Sequence, residues 1–304
     1  MINLLIGLTI IGIMLAMGLE LSAKDFRRIV EMPRAVLTGL VAQLALLPAL
    51  AFAVAYALDT PPEIAVGMVI LAACPGGPPS NVLSYLAGAH IAVSVTLTAL
   101  SSLAAVVTVP VIVNLGLATF YDGPAHVRLP LLPTLAQLAA LTLLPIGTGL
   151  YLQARYPANL ERWRARIKRA SLVLFGLAAI VIVYDSWDEF AEHFAVGAVA
   201  SVVLCWCALA LGYASASLAR LDRRDRVTIA LEVGVQNIAL ASLIIFTQLH
   251  RPELIPFPST YAVISLPSAM LVAGVYAVRE ARRQAPSPAT PSPIDSPAGT
   301  SRGR

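Results

Sequence analysis

Long apolar runs recur along almost the whole chain, and about 20 such residues suffice to cross the roughly 30 Å hydrocarbon core of a bilayer. Nine are legible, at residues 1–19, 35–57, 64–86, 91–116, 129–151, 171–184, 195–218, 228–248 and 258–278. A backbone in lipid must satisfy its own hydrogen bonds, and these runs are too long and too uniformly apolar for the alternating strands of a barrel. The chain is therefore expected to be an all-α polytopic membrane protein. With 58% of its 304 residues hydrophobic and 12% charged, no soluble domain is left over. The first run lacks a basic flank and a small-residue cleavage site, so it reads as a retained helix and not a signal peptide. Residues 285–304, APSPATPSPIDSPAGTSRGR, have too little apolar side chain to bury and read as a disordered tail.

Basic residues fix an orientation. Of the 21 Lys and Arg, nineteen fall after the odd-numbered runs, including the C-terminal segment, and two, Arg128 and Arg251, after the even-numbered ones. This implies a cell (inner) membrane protein with its N-terminus outside, nine crossings and a cytoplasmic C-terminus. The net charge of +4 then reflects topology, and nucleic-acid binding is a poor explanation for it.

Two runs are interrupted. In the third, Pro75, Gly76, Gly77, Pro78 and Pro79 fall at mid-membrane and must split the helix into halves. In the eighth, Glu232, Gly234, Gln236 and Asn237 cluster in apolar sequence. Under the orientation above the two runs cross in opposite directions, as inverted repeats of four and five helices would place them.

Glu232 is the one carboxylate that cannot be assigned to a loop, a span end or the tail, and a charge at that depth is costly unless it meets a partner or water. No Lys or Arg lies inside a span, which leaves protonation, a helix N-terminus or a bound cation. Hard cations take neutral oxygens and a carboxylate. Ser80, Asn81, Ser94, Thr98 and Gln43 supply such oxygens in the neighbouring runs. Each also has a plainer use, since membrane Ser and Thr bond back to their own helix and a lone Gln ties helices together. Cys74, Cys205 and Cys207 read as small packing residues. His90, His126, His193 and His250 are expected in loops, which leaves no nucleophile and base pair for an intramembrane enzyme.

The motifs PGGPPSNV, SVTLT and LEVGVQNIALA, together with MGLELSAKDFRRIVEMPRAV and AQLALLP, resemble the bile acid:sodium symporter family over roughly residues 10 to 275. The resemblance implies two broken helices crossing in a core domain, a panel domain moving against it, and two sodium ions driving uptake of an organic anion. Here the core would comprise spans 35–116 and 195–278, and the panel spans 1–19 and 129–184, within a transporter domain at 1–284. One sodium site would use Ser80, Asn81, Ser94, Thr98 and Glu232. The second would use Gln43, Glu232, Gln236 and the carbonyls of Val233 and Val235. The anion would lie near Pro79, Ser80, Asn81, Asn237 and Ser265, with the N–H groups of Ser80 and Asn81 opening a half-helix toward it.

Departures from the family pattern are informative. Pro78 and Pro79 remove two backbone donors before Ser80. Ile264-Ser265-Leu266-Pro267 stands where relatives often carry a polar pair, and the chain starts one helix later than ten-span members. The expected activity is sodium-coupled symport of an organic anion such as a bile acid or small carboxylate, with the bilayer and that anion as partners and no obligatory protein partner evident. The alternatives are proton-coupled or arsenite-type efflux and a non-transporting ligand sensor.

Overall fold

The computed structural model describes residues 2–21, 30–121, 129–156 and 187–284, with single positions at 166, 170, 173 and 177. Most of the run at 171–184, and the tail at 285–304, lie outside the described residues. Among the described residues there is no strand, and ten helical segments, besides a single tight turn at Pro252–Leu254, follow in order. They are α1 (Ile2–Glu20), α2 (Pro33–Ala57), α3 (Pro62–Ala73), α4 (Pro78–Leu86), α5 (Ile91–Phe120), α6 (Leu131–Arg155), α7 (Trp187–Leu218), α8 (Arg223–Gly234), α9 (Ile238–Leu249) and α10 (Pro256–Gln284). Five stretches among them are long and apolar enough to cross a bilayer: Pro33–Ala57, Ile91–Phe120, Leu131–Arg155, Phe194–Leu218 and Pro252–Arg283. The protein is a polytopic α-helical membrane protein.

Both interruptions are present. The third run divides into α3 and α4 and the eighth into α8 and α9. The helix ends are chemically marked: proline opens α3 and α4 where a missing N–H costs nothing, and Asp222 caps α8 by accepting from the Asp225 N–H at 2.8 Å. Where hydropathy and helix part company, the helix is longer. The described part of α7 runs from Trp187, so His193 lies in a helix and not in the expected loop. The reason is that Glu and Ala sustain a helix beyond the apolar stretch; hydropathy marks depth, not the hydrogen-bond ladder.

Large apolar side chains on the outside confirm the solvent. On α5 Leu103, Val107, Val111 and Leu115, one turn apart, are exposed, a stripe that water would not tolerate. Inside, helices approach through small residues. A Cβ at Gly18 of α1 would fall 2.8 Å from the Ile146 Cα of α6, and one at Gly149 would fall 2.6 Å from the Leu15 carbonyl oxygen, so glycine permits this close crossing. α1 packs chiefly on α6. α7 packs on α8 and α10, and α4 and α8 pack against each other and on α5 and α10.

Candidate functional site

The site begins with backbone that proline and glycine hold out of the helix. Cys74 and Gly77 are extended, as is Val235 at the other interruption. The two stretches of non-helical backbone then satisfy each other. Gly77 N–H donates to the Val235 carbonyl at 2.8 Å and Asn237 N–H to the Pro75 carbonyl at 3.0 Å, making an antiparallel bridge centred on Gly76 and Gln236. Each interruption covers donors and acceptors that the other would leave bare in lipid. Four half-helices thus meet at one point.

Glu232, on the last turn of α8, is 1% exposed. Its Oε2 accepts from Ser80 Oγ at 2.7 Å and from Ser94 Oγ at 2.9 Å, and its Oε1 from Thr98 Oγ1. Ser80 stands on the first turn of α4, and Ser94 and Thr98 one turn apart on α5. The three hydroxyls have further acceptors in reach: Gly77 O for Ser80 at 2.8 Å, and Ser94 O at 3.0 Å and Asn81 Oδ1 at 3.3 Å for Thr98. Three hydroxyl protons therefore face five acceptor oxygens, and each hydroxyl donates once. The cluster is rich in oxygen and poor in protons. That composition suits a hard cation, and the only negative group in it is Glu232. Among the described residues no three His, Cys, Asp or Glu side chains converge, so the donor set does not fit a transition metal.

A second cluster adjoins the first. Gln43 sits in a π-helical turn, Ala42–Leu46, just before Pro48. Its Nε2 donates to the Cys74 carbonyl at 3.0 Å and to Gln236 Oε1 at 2.8 Å, while Gln236 Nε2 donates to the Val233 carbonyl at 2.7 Å. Gln43 Oε1 is buried without a partner. Gln43, Gln236 and the Val233 carbonyl thus come together. The Val235 carbonyl already receives Gly77, which leaves it one lone pair. Every polar contact of Glu232 among the described residues lies on the first cluster's side.

The residues expected to face an anion fare differently. Asn237 caps α9, its Oδ1 accepting from Leu240 N–H at 3.1 Å, and its Nδ2 is buried without a partner, a free donor at the crossing. Pro79 is half-buried. The Ser80 N–H is not free, contrary to expectation: it donates to the Gly77 carbonyl at 2.9 Å, because Pro78 and Pro79 leave it the first N–H able to close the opening turn of α4. Ser265 is buried on α10. One turn before it stands Tyr261, which sequence reasoning passed over. Its Oη donates to the Gly234 carbonyl at 2.9 Å, supplying the end of α8 with a partner. Its only sequence signal was a hydroxyl-bearing aromatic on the same face as Ser265. Gly76 was read only as a helix breaker, yet a Cβ there would collide with Glu232 Oε1 and lie 2.8 Å from its Cδ.

Away from the crossing, a clasp joins the start of α5, at its N-cap His90, to α8. His90 Nδ1 meets Asp225 Oδ1 at 2.9 Å and His90 N–H donates to Thr228 Oγ1 at 2.9 Å. Burial raises the Asp225 carboxyl above its ordinary value, the His90 hydrogen bond opposes this, and Asp222 adds to it.

Comparison with known proteins finds relatives over most of the chain. The family model of the sodium bile acid symporter family matches residues 6–193. An uncharacterized sodium-dependent transporter of Bacillus subtilis is 33% identical over 236 residues, 76% of this chain and 70% of that protein. A chloroplastic protein of Arabidopsis thaliana, named "Probable sodium/metabolite cotransporter BASS1", is 31% identical over 82% of this chain, which spans 60% of that protein's length. The human ileal sodium/bile acid cotransporter is 27% identical over 87% of this chain and 76% of its own. A match of that extent in 304 residues takes in both interruptions.

Proposed function

Because the chain belongs to the sodium bile acid symporter family, we propose that it is a sodium-coupled secondary active transporter of an organic anion, working in the cell membrane. The observation that carries this is the proton-poor shell of oxygens around Glu232 at the crossing of two broken helices. One sodium ion is assigned to Ser80, Asn81, Ser94, Thr98 and Glu232. The second is assigned to Gln43, Gln236, Glu232 and the carbonyls of Val233 and Val235, and the partnerless Gln43 Oε1 supports a ligand there. A cation beside Glu232 would offset the desolvation of a carboxylate that has no basic side chain in contact among the described residues.

The anion is assigned to the same crossing, on the side of Pro79, Ser80, Asn81, Asn237 and Ser265, where the free Asn237 Nδ2 and the dipole of α4 favour negative charge. Its class is a bile acid or a smaller carboxylate. Sodium binding would fix the bridge between the two breaks, and the fixed bridge would present the anion site. Coupling in this scheme is a reciprocal free energy between neighbouring ligands.

Movement is assigned to a panel of α1, α6 and the span at 171–184, rocking against a core made of the remaining helices. In support, α1 and α6 meet the rest mainly through α5 and α9. The contact with α9 is polar, with Thr134 Oγ1 donating to Gln248 Oε1 at 3.2 Å and Gln137 Nε2 to Thr247 Oγ1 at 3.5 Å. Nine spans in repeats of four and five, with the C-terminus in the cytoplasm, complete the reading.

The test has two stages. Thermal unfolding across a panel of bile acids and small carboxylates, each with sodium or potassium, identifies an anion whose stabilisation needs sodium. Uptake of that labelled anion into proteoliposomes under an inward sodium gradient is then expected. Uptake that ran equally in potassium, or that followed an imposed pH gradient without sodium, would overturn sodium symport. Binding without any flux would make the protein a sensor.

A further inference from the structure

α10 turns one face away from the rest of the molecule. Met270, Gly274, Val275 and Val278 line an open groove of about 460 Å³ on that face, and Arg279 and Arg282 close one end of it. Met270 and Val278 are each 54% exposed, so no other described helix covers the groove. A Cβ on Gly274 would meet nothing within 4 Å. Tyr276, on the other side of the helix, feels a mixed set of charges, Glu280 and Asp222 against Arg224 and Arg223. Among the described residues neither Arg279 nor Arg282 has a hydrogen bond or ion pair.

Dimensions and charge together select an occupant. From Met270 to Val278 a helix advances about 12 Å at about 1.5 Å per residue, close to one leaflet's share of a roughly 30 Å hydrocarbon core. An acyl chain lying in the groove with its head at Arg279 would reach almost to the midplane. Two guanidiniums three residues apart share one face and match the oxygens of a phosphodiester. A zwitterionic head would bring its own cation against them, whereas a net-negative head would not.

We propose that this groove is a binding site for one anionic glycerophospholipid, its phosphate on Arg279 and Arg282 and one acyl chain along Gly274. The proposal needs α10 to lie in lipid and is independent of any assignment at Glu232. Glycine at 274 leaves the depth that the chain occupies, and the arginines supply a preference between lipids that are equal in their tails.

The experiment uses the full chain in mild detergent, titrated with phosphatidylglycerol or phosphatidylcholine of matched chains and weighed intact by native mass spectrometry. One phosphatidylglycerol per protein is expected to be retained in preference to phosphatidylcholine. Arg279→Gln with Arg282→Gln should weaken phosphatidylglycerol about 25-fold, at about fivefold per arginine near an anionic head, and leave phosphatidylcholine unmoved. Gly274→Leu fills open space and should weaken both lipids. Arg155→Gln, which removes a guanidinium lying over the Tyr156 ring on α6, should change neither. Equal retention of the two lipids in the wild type, full retention in the double arginine variant, or an equal loss in Arg155→Gln would each overturn the site.

Discussion

Gly76→Ala isolates the geometry of the candidate site in one methyl group. Gly76 is not among the positive-φ residues, so alanine meets no backbone objection and only the new contact matters. The added Cβ would collide with Glu232 Oε1, 2.8 Å from Cδ and 3.2 Å from Cγ. Carbon contacts settle at about 3.5–4.0 Å, so the carboxyl must withdraw by about 1 Å. Withdrawal stretches the Ser80 and Ser94 bonds of 2.7 and 2.9 Å beyond useful length. Losing one charge-assisted bond costs about 1.5–3 kcal/mol, and overpacking strain falls in a similar range. If sodium binding depends on that carboxylate position, half-saturating sodium should rise by roughly 10- to 150-fold. Sodium titration of thermal stability measures it, with Gly274→Ala in open space as the control that should not move. Glu232→Asp in the Gly76→Ala background draws the carboxylate back by one methylene and should recover part of the loss, a coupling that a double-mutant cycle reads directly. A folded Gly76→Ala protein with half-saturating sodium within about twofold of the wild type would refute the reasoning.

Four further outcomes follow from the same structure. Glu232→Gln keeps the side chain's shape and should fold, yet uptake should lose its sodium dependence; sodium-driven uptake that survived would remove Glu232 from both ion sites. Gln43→Leu deletes the partnerless oxygen of the second cluster, and the sodium Hill coefficient is expected to fall toward one, while an unchanged coefficient would argue against a second ion there. Thr134→Cys with Gln248→Cys, in a Cys207→Ser background because Cys207 is the exposed free thiol, should stop transport on oxidation and regain it on reduction; full activity in the cross-linked form would mean that this contact does not open. Asp225 has a raised carboxyl, so its protonated form stabilises the fold at low pH, and that contribution is lost as pH rises from the ordinary carboxylate value through the raised one. The melting temperature of Asp225→Asn should lack this fall, and parallel pH profiles for variant and wild type would contradict it.

Sequence was most informative where physics acts locally. Proline and glycine end a helix by their own chemistry, so both interruptions could be located, and lipid-length apolar runs identify a helical membrane protein without any tertiary information. The candidate oxygens were legible for a related reason, since a carboxylate in lipid demands them, although Thr96, Ser101 and Ser102 on α5 are buried hydroxyls too and bond back to their own helix. Contacts between distant segments were not legible. The fit of Gly76 against Glu232, the donation of Tyr261 to Gly234 and the Ser80 N–H spent on Gly77 depend on how the half-helices cross. The crossing itself has a logic that neither interruption shows alone. A broken helix in lipid leaves bare backbone, and here Gly77 meets Val235 and Pro75 meets Asn237. Each break is tolerable only because the other is opposite it. A ligand that grips Glu232, Ser80 and Ser94 grips both breaks at once, through α8, α4 and α5, and so biases the alignment of four half-helices rather than one loop. Under the proposed function this is how a small cation could govern a much larger anion without touching most of its surface.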